Sequence, residues 1–217
     1  MKKIIILSAF LSIVFTCLPL YADDDFQHWD TQIVSWKLNN HWQAAFEEEF
    51  HLRDNAGTLA YQHTDFGIAY SALAEWITLG FNYRQAFEKQ NDDWKYENIP
   101  HLNATLKFNL GDLNLSNRFK FEYKNREDAD NIWRYANTLT IKFPVRLTRF
   151  KLQPFLSNEI FIDLDQRELN TNRIYTGLSL ELSKNLEGRV YYVCQSRKTS
   201  GKWAESHILG SLLKLSF

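Results

Sequence analysis

The sequence has little cysteine, little charge of one sign and few long apolar runs. Of its two cysteines, Cys17 lies in an apolar amino-terminal segment that reads as removable. Cys194 is then the one thiol of the mature chain, which excludes an intramolecular disulfide. Beyond that segment there is no second long apolar run, which excludes a helical membrane protein. Lys and Arg (25) almost balance Asp and Glu (26), so bulk basicity of the kind that marks nucleic-acid binders is absent. Aromatic residues make up 15% of the chain, too many for a disordered protein at this charge balance. The sequence also lacks a Gly-rich phosphate loop, a cysteine cluster, an HExxH-like pair and a repeat array.

What is present begins with the leader, MKKIIILSAFLSIVFTCLPLYA. Lys2 and Lys3 form a positive start, Ile4 to Val14 an apolar centre, and Pro19 breaks the helix ahead of the small residue Ala22. Residues 1–22 are therefore expected to be a secretory signal peptide, with the mature domain at 23–217 opening on Asp23-Asp24-Asp25.

From Trp29 onward the repeating feature is alternation. Trp42, Ala44, Phe46, Phe50 and Leu52 oppose Gln43, Glu47, Glu49, His51 and Arg53. Leu113, Leu115, Phe119, Phe121 and Tyr123 oppose Asn114, Ser116, Arg118, Lys120 and Glu122. Successive side chains of a strand point to opposite faces, so each such run is a strand with one oily and one polar side. The runs are about 10 to 14 residues long, nearer the roughly 9 to 11 needed to cross a bilayer than the 5 to 6 of a soluble sandwich. Short turns are expected at Asn39-Asn40, Ala74-Glu75, Gly111-Asp112 and Ser183–Asn185. Longer polar loops are expected near 54–60, 89–95, 127–130, 165–172 and 198–205, an asymmetry typical of outer-membrane barrels.

The fold class expected is all-β, an antiparallel up-and-down transmembrane β-barrel in the bacterial outer membrane. Eleven runs can be parsed. Single-chain bacterial barrels carry even numbers, so 10 to 12 strands are expected, with 12 favoured. The last residues, HILGSLLKLSF, put Leu209, Leu213, Leu215 and Phe217 on one face. This carboxy-terminal aromatic strand resembles the assembly signal of Gram-negative outer-membrane proteins. That implies the barrel-assembly machinery as a partner, beside outer-membrane lipid and lipopolysaccharide; no nucleic acid is expected, and the oligomeric state is left open. Trp29, Trp42, Trp76, Tyr96, Trp133, Tyr135 and Trp203 lie near strand ends and suit interfacial girdles. Four residues disobey the pattern: Glu48, Asn117, Asn137 and Asn158 fall on oily faces. A charge facing mid-bilayer costs up to about 2–4 kcal/mol, so Glu48 is expected near the rim or beside a bulge.

The polar face is ionic. Glu47, Glu49, Arg53, Arg84, Arg118, Glu122, Arg126, Arg134, Glu159, Arg173 and Glu181 are its candidate functional residues, forming a lumen charge network or a pore lining. In one account arginines and glutamates pair across strands and fill a narrow barrel, since a charge taken from water must be paired. In the other a positive excess around Arg84, Arg118, Arg126 and Arg134 lines a slim pore for small solutes, anions among them. The alternative function is a lipid-modifying enzyme of acyl hydrolase or deacylase type. It requires a serine within reach of an oriented histidine. No serine has such a local spacing to any of His28, His41, His51, His63, His101 or His207. No catalytic set, metal site or cofactor is therefore expected.

Several segments resemble an uncharacterised bacterial outer-membrane β-barrel family, domain of unknown function 2490. They are Trp42 through Glu49 to Arg53, Gly80-Phe81-Asn82-Tyr83-Arg84, Arg118 to Glu122, Trp133-Arg134, and Pro154 to Glu159. The resemblance covers most of the mature chain. It implies a barrel and supplies no activity. Where that family often carries arginines, this chain has Asn98 after Glu97 and Lys124 after Glu122.

Overall fold

A computed structural model describes residues 26–90, 93–145, 147–148, 151–199 and 201–217. The leader, Asp23–Asp25 and Asn91-Asp92 lie outside the described residues.

Eleven strands follow one another. They are β1 (Phe26–Lys37), β2 (Trp42–Arg53), β3 (Thr58–Ala74), β4 (Ile77–Gln90), β5 (Asp93–Leu110), β6 (Leu113–Arg126), β7 (Ile132–Lys142), β8 (Gln153–Asp163), β9 (Glu168–Glu181), β10 (Leu186–Thr199) and β11 (Lys202–Ser216). Each pairs with its neighbours in sequence, and β1 pairs with β11, so the sheet closes on itself. Closure satisfies every strand edge, which an open sheet of this size leaves exposed.

The favoured count of 12 is corrected to 11, and the fully antiparallel arrangement with it. Alternating up and down through an odd number of strands leaves the first and last pointing the same way. The closing pair is accordingly parallel, from Phe26 opposite His207 to Ser35 opposite Ser216. All other neighbours are antiparallel.

The expected loop asymmetry is also corrected. Strands β3, β5 and β9 begin earlier than the polar residues suggested, at Thr58, Asp93 and Glu168, while the connection 127–131 lies where a loop was expected and is itself only a few residues long. The longest connection, 143–152, lies at the opposite end and carries a Leu147–Leu152 bridge. Polar residues remain in strand there because hairpin pairing satisfies their backbone groups while their side chains reach solvent.

On the outer face large apolar side chains stand exposed, among them Phe66, Phe81, Leu102, Phe121, Leu139, Leu209 and Leu213. Trp42, Trp76, Tyr96, Trp133 and Trp203 are exposed toward strand ends, as their positions suggested. Trp29 is not: it is buried in the barrel interior. Glu48 does not sit at the rim. It is in the middle of β2 on the outward face, and the β2–β3 register shifts only later, between His51 and Leu52. Its carboxylate accepts from Thr64 Oγ1 at 2.7 Å. The outward amides likewise pair across strands, Asn137 with Asn117 at 2.8 Å and Asn158 with Asn172 at 2.7 Å.

Candidate functional site

Alternation turns one side chain in two toward the barrel axis, where they enclose a cavity of about 1010 Å³. Its lining runs from Arg53, Arg126 and Arg197 near one rim to Gln43, Ser116 and Lys214 near the other. Eleven Lys and Arg side chains line it against seven Asp and Glu. Of the candidate residues, Glu47, Glu49, Arg53, Arg84, Arg118, Arg126, Arg134, Glu159 and Arg173 are on this surface. Glu122 lies behind it, fully buried. Glu181 is not brought in; it is exposed at the end of β9.

Across β6 to β9 the acids are held by permanent cations. Glu122 takes Lys120 Nζ at 2.8 Å and the Arg134 guanidinium, so two cations surround one buried carboxylate. Glu159 accepts from Thr138 at 3.0 Å and Tyr175 at 2.9 Å, and pairs with Arg173 at 3.4 Å and Arg118 at 3.6 Å. The guanidinium planes also lie on aromatic rings: Arg134 and Arg173 are 4.8 and 4.9 Å from the Phe161 centroid, and Arg173 is 4.8 Å from that of Trp29. A desolvated guanidinium over a ring recovers part of its lost hydration.

Across β1 to β5 the acids lean on imidazoles. Glu49 accepts from Thr31 at 3.0 Å and meets His51 Nε2 at 2.7 Å. Glu47 meets His63 Nε2 at 3.0 Å. Asp65 takes Arg84 Nε at 3.0 Å and Asn82 Nδ2 at 2.7 Å, with His101 Nε2 at 3.6 Å. Asn103 donates onward to Asn82 at 2.9 Å. This amide chain needs glycine on the neighbouring strands, because a Cβ at Gly67 would fall 2.1 Å from Asn82 Nδ2 and one at Gly80 2.6 Å from Asn103 Oδ1.

Rim contacts complete the set. Lys124 pairs with Glu97 at 2.7 Å, standing where the resemblance implied an arginine. Arg53 reaches Glu88 at 3.3 Å. Arg126 turns to its own loop, donating to the Asp130 carbonyl at 2.7 Å.

A third group was missed. Trp29, Phe155, Tyr191, Val193 and Ile208 form a buried apolar cluster on the inward side of β1, β8, β10 and β11, with Tyr175 and Leu212 against it. Sequence alternation gave no signal for it, because these strands are apolar at positions of both parities. Lys120, Asp65 and His101 were legible as inward positions by parity, but their partners were not.

The molecule is thus a closed β-barrel whose lumen is ionic on one side and apolar on the other. The profile of the family described as Protein of unknown function (DUF2490) matches residues 26–206, and the chain belongs to that family. Among curated proteins none matches. Similar solved structures include two porins. The anion-selective porin from Comamonas acidovorans is 15% identical with a TM-score of 0.41, over 81% of this chain and 52% of that one. This chain thus spans about half the length of that porin. The NanC porin is 12% identical with a TM-score of 0.47, over 85% of this chain and 94% of that one.

Proposed function

We propose that the protein spans the bacterial outer membrane, after export by its amino-terminal leader, as a narrow pore for small anionic solutes. The observation that carries the pore is a continuous cavity of about 1010 Å³ whose lining extends from rim to rim. Cations outnumber acids along it, and two of them reach into open space: the side chains of Arg118 and Arg197 are 47% and 55% exposed. Basic linings favour anions because an ion leaving water needs compensating charge.

The membrane reading rests on the outer wall. Its exposed Phe and Leu side chains form a surface that water disfavours and hydrocarbon does not. Lipid and lipopolysaccharide are the surroundings this surface fits. Phe217 lies at the closing seam, where its N–H donates to the Ser35 carbonyl at 2.9 Å and its carbonyl accepts from Lys37 at 2.9 Å. The β1–β11 pair closes the sheet, and we assign Phe217 on it the role of an assembly signal.

Refolded protein in planar bilayers tests the pore. Ion-selective openings with anion preference in a salt gradient are expected, and Arg118→Glu is expected to reduce or reverse that preference. A folded, heat-modifiable barrel that never conducts would transfer the assignment to a structural barrel. That second reading draws on the short ion pairs around Glu122 and Glu159, which already fill part of the interior. The acyl-hydrolase alternative gains nothing from the outer wall. Among the described residues, Ser211 Oγ donates to Asp30 Oδ1 at 2.7 Å and the Tyr192 hydroxyl meets His207 Nδ1 at 2.5 Å, and neither of these contacts joins a serine to a histidine.

A further inference from the structure

Within the β1–β3 part of the lumen, Glu47, Glu49 and His63 each place a donor atom within 4.8 Å of the other two. Acidic side chains close together are common on protein surfaces and mean little alone. Here the histidine adds an independent observation. His63 is 2% exposed, and its Nδ1 is buried without a hydrogen-bond partner.

The two ring nitrogens have different surroundings. Nε2 lies 3.0 Å from Glu47 Oε1, so in this contact Nε2–H donates to the carboxylate. A neutral imidazole carries one proton, which leaves the Nδ1 lone pair bare. In that tautomer the lone pair faces Glu49 Oε1, 3.8 Å away. Glu49 is itself fixed, by Thr31 at 3.0 Å and by His51 at 2.7 Å. His51 is in turn clamped between Trp29 and Tyr61, at 4.0 and 4.5 Å between ring centroids. The Arg84 guanidinium engages Asp65 at 3.0 Å and stays 3.8 Å from Glu47, beyond hydrogen-bond reach.

We propose that this gap binds a divalent first-row transition-metal ion, with Nδ1 of His63 and the Glu49 carboxylate as ligands and lumen water in the remaining positions. Glu47 acts as the positioning carboxylate that holds the Nε2 proton and so presents Nδ1. A histidine whose second nitrogen donates to a carboxylate is the usual arrangement around a protein-bound zinc ion. The spacing is suitable: two ligands at about 2.0–2.2 Å on a tetrahedral ion stand about 3.4 Å apart, a few tenths of an ångström inside the distance here. An imidazole with carboxylate suits zinc or cobalt, whereas calcium and magnesium take all-oxygen sets. The proposal does not rest on conduction, and it holds for a silent barrel as well as for a pore.

The test uses tag-free, refolded full-length mature protein in detergent, with folding verified by heat-modifiable migration for every variant. Calorimetric titration with Zn²⁺ is expected to show one saturable equivalent, and Co²⁺ to give a visible absorption band of a low-coordinate site. Glu49→Gln, nearly the same shape, is expected to weaken binding by more than tenfold, and His63→Gln to abolish the cobalt band. Glu47→Gln is expected to weaken binding about 10- to 100-fold while keeping the band, as for loss of an orienting partner. His41→Ala, an exposed histidine at a rim turn, is expected to change nothing. No saturable binding by folded protein at millimolar Zn²⁺ would overturn the proposal. So would unchanged binding in Glu49→Gln and His63→Gln, or Ca²⁺ competing as well as Zn²⁺.

Discussion

Along β6 and β7 the lumen wall is built from ions: the buried Glu122 carboxylate takes the buried Lys120 and the half-buried Arg134. Along β10, β11 and β1 the facing wall is built from Tyr191, Val193, Ile208 and Trp29, which touch as an ordinary apolar core does. The first wall is stable only as a complete set. Removing one member leaves the others charged and buried, and that uncompensated charge is what costs. The second wall is stable by area and fit, so its losses scale with the atoms removed or forced in. Arg173 joins them, paired with Glu159 and lying over Trp29. The comparison shows that a closed barrel can line its interior by either means. It also shows that the ionic means makes each residue depend on its neighbours.

Three substitutions probe that contrast, each read as the midpoint of denaturant unfolding of the folded barrel. The largest effect is expected from Glu122→Ala, which strands Lys120 and Arg134 beside an empty site; a loss of about 3–5 kcal/mol is expected. If the midpoint barely moved, the two cations would have to be hydrated in place and the ionic wall would not be interdependent. Gly210→Ala challenges the apolar wall. The added Cβ would fall 2.1 Å from the Tyr191 ring, so the ring must leave the Trp29 cluster, at about 1–3 kcal/mol. An unchanged midpoint there would mean that the cluster is loose. The smallest effect is expected from Arg53→Ala, which breaks the partly exposed rim pair with Glu88; at most about 1 kcal/mol is expected. A larger loss would extend the interdependence of the buried ions out to the rim.

Much of this was legible beforehand. The parity of Glu47, Glu49, Arg84, Arg118 and Glu159 put them on the inward face, and they line the cavity. Trp29 was misplaced, because an aromatic near a strand end suits a girdle and a core equally, and parity alone does not distinguish them. Glu48 was misjudged because its cost was reckoned without the Thr64 hydroxyl on the next strand. The His63–Glu49 gap was invisible, since it depends on β1, β2 and β3 in register.

Alternation is a property of neighbouring residues, so the order of residues alone determined that there would be strands, how they would face and that a sheet would result. Closure is a property of the whole sheet. Whether β1 would meet β11, in which direction, and which inward side chains would then stand within 3 Å of one another depended on strand count and stagger. Those are set only when all eleven strands are hydrogen-bonded together.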